Sequence, residues 1–470
     1  MVGEFKDKKV LVMGLGLHGG AVAVVEWLLK NKAEITITDI KTKIQLKKSL
    51  DRINKHFRAR KIKYILGRHD LKDFTGQDLI IQNPGVPKDS KFLNKARRAN
   101  IPIVNEAVLF FGLYPGRSIG ITGTRGKSST ATLLHKILKT EIKSNVVAGN
   151  IATNPMLSAI TKLKVKSLPV LELSSWHLEG LDDYKVSPHI ALVTNVLNDH
   201  LNRYKNFTEY KNAKAAIVRH QIKNDIAVLN FDNPITKKFY KETQAKTYFY
   251  SLGKKVKGAY LKGNTIYFYN GKRVSEVMKI GKIKVLGQHN LSNILAAVTV
   301  AKVVGIKDRN IAKAVNRFKG IEYRLEYKGN IKNVAVYNDA TSTTPDASLA
   351  AIEALQKKQV ILIAGGEDKQ LDYKKLAKKI KAKVNFVVLL SGSGSKKLKK
   401  ELLTIKYPQN KLISDVNQLS KAWKIALENI DQNDCILFSP AAASFNMFIN
   451  EFDRAKQFDK LFYGGQKKKK

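Results

Sequence analysis

Residues 120–130 read Gly-Ile-Thr-Gly-Thr-Arg-Gly-Lys-Ser-Ser-Thr, a pattern suited to holding phosphate. An apolar strand delivers the chain into a glycine loop whose backbone N–H groups can surround phosphate oxygens. Lys127 can then reach the terminal phosphates, the Ser128 hydroxyl can meet Mg²⁺, and the N-terminus of the following helix adds favourable partial charge. Gly120 lies six residues before Gly126, one more than the strict phosphate-loop pattern has, yet ATP or GTP is the ligand class these residues fit. An earlier loop, Gly14-x-Gly16-x-x-Gly19, also follows an apolar strand and opens a helix, with Asp39 twenty residues after Gly19. That spacing fits a dinucleotide site in which the acid takes a ribose hydroxyl. It fits equally a plain tight turn with Asp39 as a strand-end cap, and the residues leave both open. Further on, Glu172 ends an apolar strand in LELSSWHLE, where a carboxylate suits Mg²⁺. Asp199-His200 follow a strand in TNVLNDHLNRY, and Lys214 lies in the helical segment YKNAKAAIV. Each of these has a structural alternative: a helix cap, a half-buried histidine, a lysine stem lying along apolar surface.

Positioning such groups requires strands that end at loops. Lys9–Gly14, Glu34–Asp39 and Leu79–Gln82 are apolar or β-branched runs separated by the helical stretch Ala21–Leu29 and other connections, which predicts a small parallel α/β domain. Tyr114-Pro115-Gly116 marks its end. Strands are expected again at Ser118–Thr122, Pro169–Leu173 and Ile190–Asn195. Residues 247–285 alternate in short runs broken by Gly253, Gly258, Gly263-Asn264, Asn270-Gly271 and Gly281, which reads as added β-hairpins. The pattern resets near Phe318–Tyr323, and Val334–Asn338, Val360–Ala364, Phe386–Leu390 and Cys435–Phe438 predict a third α/β domain. The expected organisation is therefore α/β throughout, with domains at residues 1–114, 115–320 and 321–470.

Composition fits a folded multidomain protein. The 470 residues are 44% hydrophobic and 26% charged, which excludes a disordered or collagen-like chain. One cysteine, Cys435, rules out an internal disulfide framework and suits a reducing compartment. Met1–Lys9 is polar and lacks the apolar run of a secretory leader, and no apolar stretch is long enough to span a bilayer, so a cytoplasmic protein without membrane insertion is expected. The net charge of +45 raises the alternative of a basic, phosphate-loop ATPase that binds nucleic acid. The lysine-rich segments Lys41–Lys63 and Lys374–Lys400 look like solvated helix faces, and no zinc-finger spacing or RNP-type aromatic motif is present, so no nucleic-acid partner is expected.

Taken in order, GITGTRGKSS, LELSSWHLE, TNVLNDHLNRY, Lys214, GQHNLSN, Arg324, NDAT, AGGEDK and SPAAASFNMF resemble the motif series of the Mur ligases over essentially the whole chain. The short start GLGLHGG, the NPG turn and the SPAAASFNMF ending resemble most the branch that adds D-glutamate to UDP-N-acetylmuramoyl-L-alanine. The resemblance implies a Rossmann-like N-terminal domain, a P-loop central domain with a parallel sheet and a small added β region, and a Rossmann-like C-terminal domain. It implies that Leu15, His18, Asp39, Asn83, Pro84, Gly85 and His177 face the UDP-sugar, so that the first glycine loop takes a diphosphate rather than NAD. Gly123, Thr124, Arg125, Gly126, Lys127, Ser128 and Ser129 would hold ATP, with Asn290 and Asn293 against the adenine and Arg324 and Asp339 completing the nucleotide site. Ser128, Glu172, His200 and Lys214 would hold two Mg²⁺ ions, Lys214 as a CO₂-derived carbamate. Asn150 would lie close to the reacting carboxylate, and Thr343, Lys369, Ser444 and Phe445 would approach D-glutamate. A monomer is expected. The chain departs from the family pattern at Arg125 (usually Asn), Trp176-His177 (commonly Phe-Gln), His18 (a small hydroxyl residue), Thr341 (often Lys) and Ala455 (usually Gly).

Overall fold

The fold was obtained as a computed structural model and describes residues 4–17, 19–57, 62–150, 154–164, 166–199, 203–355 and 359–467. His18 and His200, expected at the site, lie outside these residues. The chain divides into two compact units, residues 1–282 with 292–316 and residues 283–291 with 317–470.

The first unit opens with β1 (Lys9–Met13), α1 (Gly20–Lys30), β2 (Glu34–Asp39), α2 (Lys47–Phe57), β3 (Ile62–Leu66), β4 (Leu79–Gln82), α3 (Lys91–Arg98), β5 (Ile103–Val104) and α4 (Glu106–Leu113). The five strands form one parallel sheet in the order β3-β2-β1-β4-β5. Val10, Leu11, Val12 and Met13 of β1 are all buried, as a central strand covered on both faces must be. Gly14 and Gly19 bound the turn into α1 with φ of +86° and +85°, a conformation that side chains with a Cβ adopt only with strain.

The chain continues through β6 (Ile119–Thr122), α5 (Lys127–Leu138), β7 (Val147–Gly149), α6 (Met156–Ile160), β8 (Val170–Glu172), α7 (Ser175–Asp183), β9 (Ile190–Val193), α8 (Phe207–Arg219), β10 (Ile226–Asn230) and β11 (Lys246–Tyr250). These six strands make a second parallel sheet, ordered β11-β10-β9-β6-β8-β7. α4 packs against α6 and α7, so the two sheets share one apolar core running from Val10 through Phe110 to Leu229. β12 (Gly258–Lys262), β13 (Thr265–Tyr269) and β14 (Val274–Lys279) form a separate antiparallel sheet. Only these three supply the hairpins expected over 247–285. β11, at the start of that segment, instead pairs parallel with β10; the sequence did not distinguish this, since the Lys-Thr-Tyr-Phe-Tyr alternation carries no information about which sheet it joins.

After α9 (Gln288–Val304) and α10 (Asp308–Arg317), the second unit runs β15 (Glu326–Ile331), β16 (Val334–Asn338), α11 (Pro345–Ala354), β17 (Gln359–Ala364), α12 (Lys374–Lys383), β18 (Val384–Leu390), α13 (Ser393–Thr404), β19 (Leu412–Val416), α14 (Leu419–Glu428), β20 (Asp434–Phe438) and α15 (Glu451–Lys467). The sheet order is β15-β16-β20-β17-β18-β19, parallel except for β15. Two apolar layers cover it, one built on Leu376, Leu398 and Leu402 and the other on Trp423, Phe438, Phe458 and Phe462.

Candidate active site

The phosphate-type loop leaves the C-terminal end of β6, at the centre of its sheet, where parallel sheets present their ligand sites. Gly123 has φ of +148°, and a Cβ there would stand 1.9 Å from Thr194 Oγ1. At Gly126, with φ of +83°, a Cβ would stand 2.3 Å from Asn293 Oδ1, so Asn293 of α9 lies directly on the loop. The loop is held from β9's end: the Arg125 N–H donates to Asn195 Oδ1 (2.9 Å), Thr194 Oγ1 to the Arg125 carbonyl (2.6 Å), and the Thr124 N–H to the Asn195 carbonyl (2.8 Å). Lys127 Nζ donates to the Gly123 and Thr124 carbonyls at 2.9 and 3.2 Å, arching over the loop that it heads. Ser128 and Ser129 follow in the first turn of α5, and Arg125 pairs with Asp199 at 2.9 Å.

Beside this loop, Glu172 ends β8 with its side chain almost wholly enclosed. Asn150, just past β7, donates its side-chain amide to Glu172 Oε1 (3.3 Å) and its backbone N–H to the Glu172 carbonyl (2.9 Å). Glu172 Oε2 is buried without a hydrogen-bond partner among the described residues. Lys214 of α8 is 2% exposed, donates to Thr122 Oγ1 at 3.1 Å and lies over the Tyr210 ring. Burial drives its amine well below the ordinary lysine range, helped by the charge of Lys127 and opposed by Glu172, Asp199 and Glu179. The lysine is therefore no surface side chain with a stem on apolar ground. Tyr210, which nothing in the sequence marked, bonds Thr124 Oγ1 at 3.1 Å and ties α8 to the loop. His177 is buried rather than presented: its Nδ1 accepts from the Ser174 N–H and Ser174 Oγ from the His177 N–H, a capping box at the start of α7. Burial, with Lys214 nearby, pushes its imidazole down to about 4. Among the described residues no three His, Cys, Asp or Glu side chains cluster as a metal site.

In the first sheet, Asp39 resolves its open reading. Its Oδ2 accepts from the Leu15 and Gly16 N–H groups (2.8 and 3.0 Å) and its Oδ1 from the Lys41 N–H (2.9 Å). The buried carboxylate holds the glycine loop in place instead of projecting from it. Leu15 is buried too, and Asn83 donates to the Gly14 carbonyl at 2.6 Å. Pro84 and Gly85 follow at the rim, where Arg203 donates to the Pro84 carbonyl at 3.0 Å and pairs with Glu179. A cavity of about 440 Å³ opens there, lined among others by Asn83, Arg97, Asn105, Trp176 and Arg203.

In the second unit, exposed Arg324 sits between Tyr323 and Leu325, both left-handed at φ +64° and +47°. Asp339, called for the nucleotide, is buried. It accepts from the Leu325 N–H (2.9 Å), Ser342 Oγ (2.5 Å) and Ser439 Oγ (2.7 Å), and burial raises its carboxyl to about 6. It thus fixes the turn that displays Arg324. Lys369 Nζ donates to Thr343 Oγ1 at 3.0 Å, Ser444 is buried, and Phe445 is 70% exposed. Asn290 turns its side-chain amide to the Leu286 carbonyl (2.8 Å). Thr341, the departure from lysine, donates to the Tyr323 carbonyl at 2.7 Å.

Comparisons with known proteins agree along the chain. Family models for the MurD-like Mur ligase N-terminal domain match residues 8–105, for the Mur ligase middle domain residues 121–301, and for the Mur ligase glutamate ligase domain residues 323–442. A UDP-N-acetylmuramoylalanine--D-glutamate ligase of Roseiflexus sp. (strain RS-1) is 34% identical over 467 residues, 97% of this chain and 99% of that protein. One of the same name from Borreliella afzelii (strain PKo) is 36% identical over 463 residues, 97% and 98% of the two chains. Among solved structures, UDP-N-acetylmuramate-alanine ligase MurC from Thermotoga maritima aligns with a TM-score of 0.63 at 20% identity, covering 97% of this chain and all of that one. MurF ligase from Thermotoga maritima in complex with ADP aligns at 0.57 and 18% identity, covering 93% and 96%. Among the described residues no helix is long and apolar enough to cross a membrane.

Proposed function

The chain belongs to the Mur ligase family, and from that premise we propose that it uses ATP to join D-glutamate to the carboxylate of UDP-N-acetylmuramoyl-L-alanine. The observation that carries this assignment is identity along nearly the whole chain to ligases of that name. A carboxylate is a poor acyl donor, so it attacks the γ-phosphorus of ATP, displaces ADP and becomes an acyl phosphate. The D-glutamate amine then attacks the acyl carbon, and the tetrahedral intermediate expels phosphate.

Every species on that route is anionic, and the residues supply the opposing charge. Gly123–Ser129 cradle the triphosphate with backbone N–H groups, Lys127 exchanges its loop carbonyls for phosphate oxygens, and Asn293 packs beside the loop. Arg324, held outward by Asp339, adds a second cation. Ser128, Glu172, Lys214 and, outside the described residues, His200 would hold Mg²⁺, whose contribution is to neutralise phosphate charge and polarise the reacting phosphoryl group. Glu172 Oε2, buried and without a hydrogen-bond partner among the described residues, fits that role, since an enclosed carboxylate oxygen without a donor calls for a cation. Burial favours the free-base form of the Lys214 amine, and that form can attack CO₂ and release a proton, which replaces a base by a carbamate anion. Asn150, already bonded to Glu172, orients the reacting carboxylate of the UDP-linked acyl donor. The first glycine loop and the Asn83-Pro84-Gly85 turn take the UDP end, while Thr343, Lys369, Ser444 and Phe445 take D-glutamate.

Labelled oxygen tests the chemistry. With ¹⁸O in the carboxylate of UDP-N-acetylmuramoyl-L-alanine, the phosphate released during ligation should carry ¹⁸O, because the carboxylate oxygen that bonds phosphorus leaves with it. Unlabelled phosphate accompanying amide formation would rule out the acyl phosphate.

A further inference from the structure

Arg454, on the first turn of α15, is 0% exposed. Its Nη1 donates to the Ala442 carbonyl at 3.1 Å and its Nη2 to the Ala340 carbonyl at 2.7 Å. Among the described residues its Nε atom is buried without a hydrogen-bond partner. Enclosing a guanidinium is costly unless something compels it, and here it ends on two neutral carbonyls rather than on a carboxylate.

The two carbonyls belong to different loops. Ala340 follows β16 and Ala442 follows β20, which are adjacent parallel strands. The first loop leads to Thr343, the second to Ser444 and Phe445. The second loop also carries a left-handed alanine, Ala441 at φ +61°, a strained conformation that persists only where its surroundings impose it. Neighbouring ties act on the same segments: Glu367 and Ala443 exchange backbone N–H bonds at 2.9 Å, and the Asp339 carboxylate receives Ser342 from one loop and Ser439 from the other.

We propose that Arg454 is a positioning residue of the amino-acid site: its planar fork fixes the separation between the loops after β16 and β20, and so the geometry at which Thr343 and Ser444 meet the incoming amino acid. This rests on the assignment of D-glutamate to those loops. Lysine cannot replace it, because one ammonium on a flexible stem does not hold two carbonyls at a set spacing.

The test compares Arg454→Lys and Arg454→Ala with the unaltered chain, measuring KM for each substrate and kcat. Both variants should raise KM for D-glutamate at least about tenfold, because the two loops assigned to it would no longer be fixed at one spacing. KM for ATP and for the UDP-linked substrate should stay within about twofold, since the groups assigned to both lie mainly in the other unit. Methylguanidinium, filling the space left in Arg454→Ala, should bring the D-glutamate KM back toward normal, and methylammonium should not. A folded Arg454→Lys with an unchanged D-glutamate KM overturns the proposal. So does an Arg454→Lys that is unfolded at the assay temperature, which would make Arg454 a residue of general stability. If the unaltered chain ligates some amino acid other than D-glutamate, the site assignment fails instead.

Discussion

Enclosure changes what an ionisable side chain can do, and α7 and α8 carry two examples. Lys214, among dozens of lysines, could not be singled out by its sequence neighbourhood; burial beside Thr122 and Tyr210 holds its amine well below the ordinary lysine range. His177 shows the opposite outcome, since its ring is used up in capping α7. Its imidazole titrates at about 4 in the fold, against about 6.5 when unfolded. Above the unfolded value both states are neutral and nothing is lost. As pH falls toward 4 the unfolded chain gains a proton that the folded one refuses, so stability drops by up to about 3 kcal/mol. Glutamine can serve the same capping box without titrating. His177→Gln should therefore be comparably stable at neutral pH and lose less stability on acidification, measured by urea unfolding of both proteins at each pH. Parallel pH profiles for the two proteins would refute this origin of acid sensitivity.

Strand ends set the site, and a glycine at one of them makes the point testable. Gly149 closes β7 at φ +114°, and a Cβ there would stand 2.2 Å from the Glu172 carbonyl. The clash is with backbone, which cannot swing away as a side chain would. Gly149→Ala should cost at least about 2 kcal/mol in urea unfolding. It should also depress turnover in the molecules that remain folded, because Asn150 and Glu172 shift together; an alanine variant with unaltered stability and turnover would contradict this geometry. Much at this scale was legible beforehand. β2, β4 and β16 fall on their expected residues, as do the phosphate-type loop and the helix from Lys127, because apolar runs ending at glycine turns have one reasonable reading. β3, β5, β7, β10, β15 and β19 were not foreseen: most are short or half-exposed, with too little apolar periodicity to stand out, whereas β10 is a buried apolar run that could have been recognised. Asp39 and Asp339 were foreseen as residues of the site, but their roles in holding loops depend on backbone N–H groups that no motif reveals. Arg454 gave no signal of its own, because a buried arginine looks like any other cation on a helix.

Across the whole molecule, three sheets each present loops at the carboxyl ends of parallel strands, and family membership extends over all of them. The charge of +45 was the most conspicuous feature of the composition and the least informative about activity, since lysines on solvated helix faces account for much of it. Positive charge does favour capture of anionic substrates, but it carries no choice among them. On the assignment proposed above, that choice would be made by the second unit's loops, where Thr341 donates to the Tyr323 carbonyl and Phe445 stands exposed. The central claim is thus one of substrate identity, and the most direct measurement is phosphate release from ATP with Mg²⁺ and UDP-N-acetylmuramoyl-L-alanine, run in parallel with D-glutamate, L-glutamate, D-aspartate, L-alanine and L-lysine. Release that depends on D-glutamate, with the matching amide product, is the predicted result. Release driven by another amino acid, or none with any of them, would contradict it.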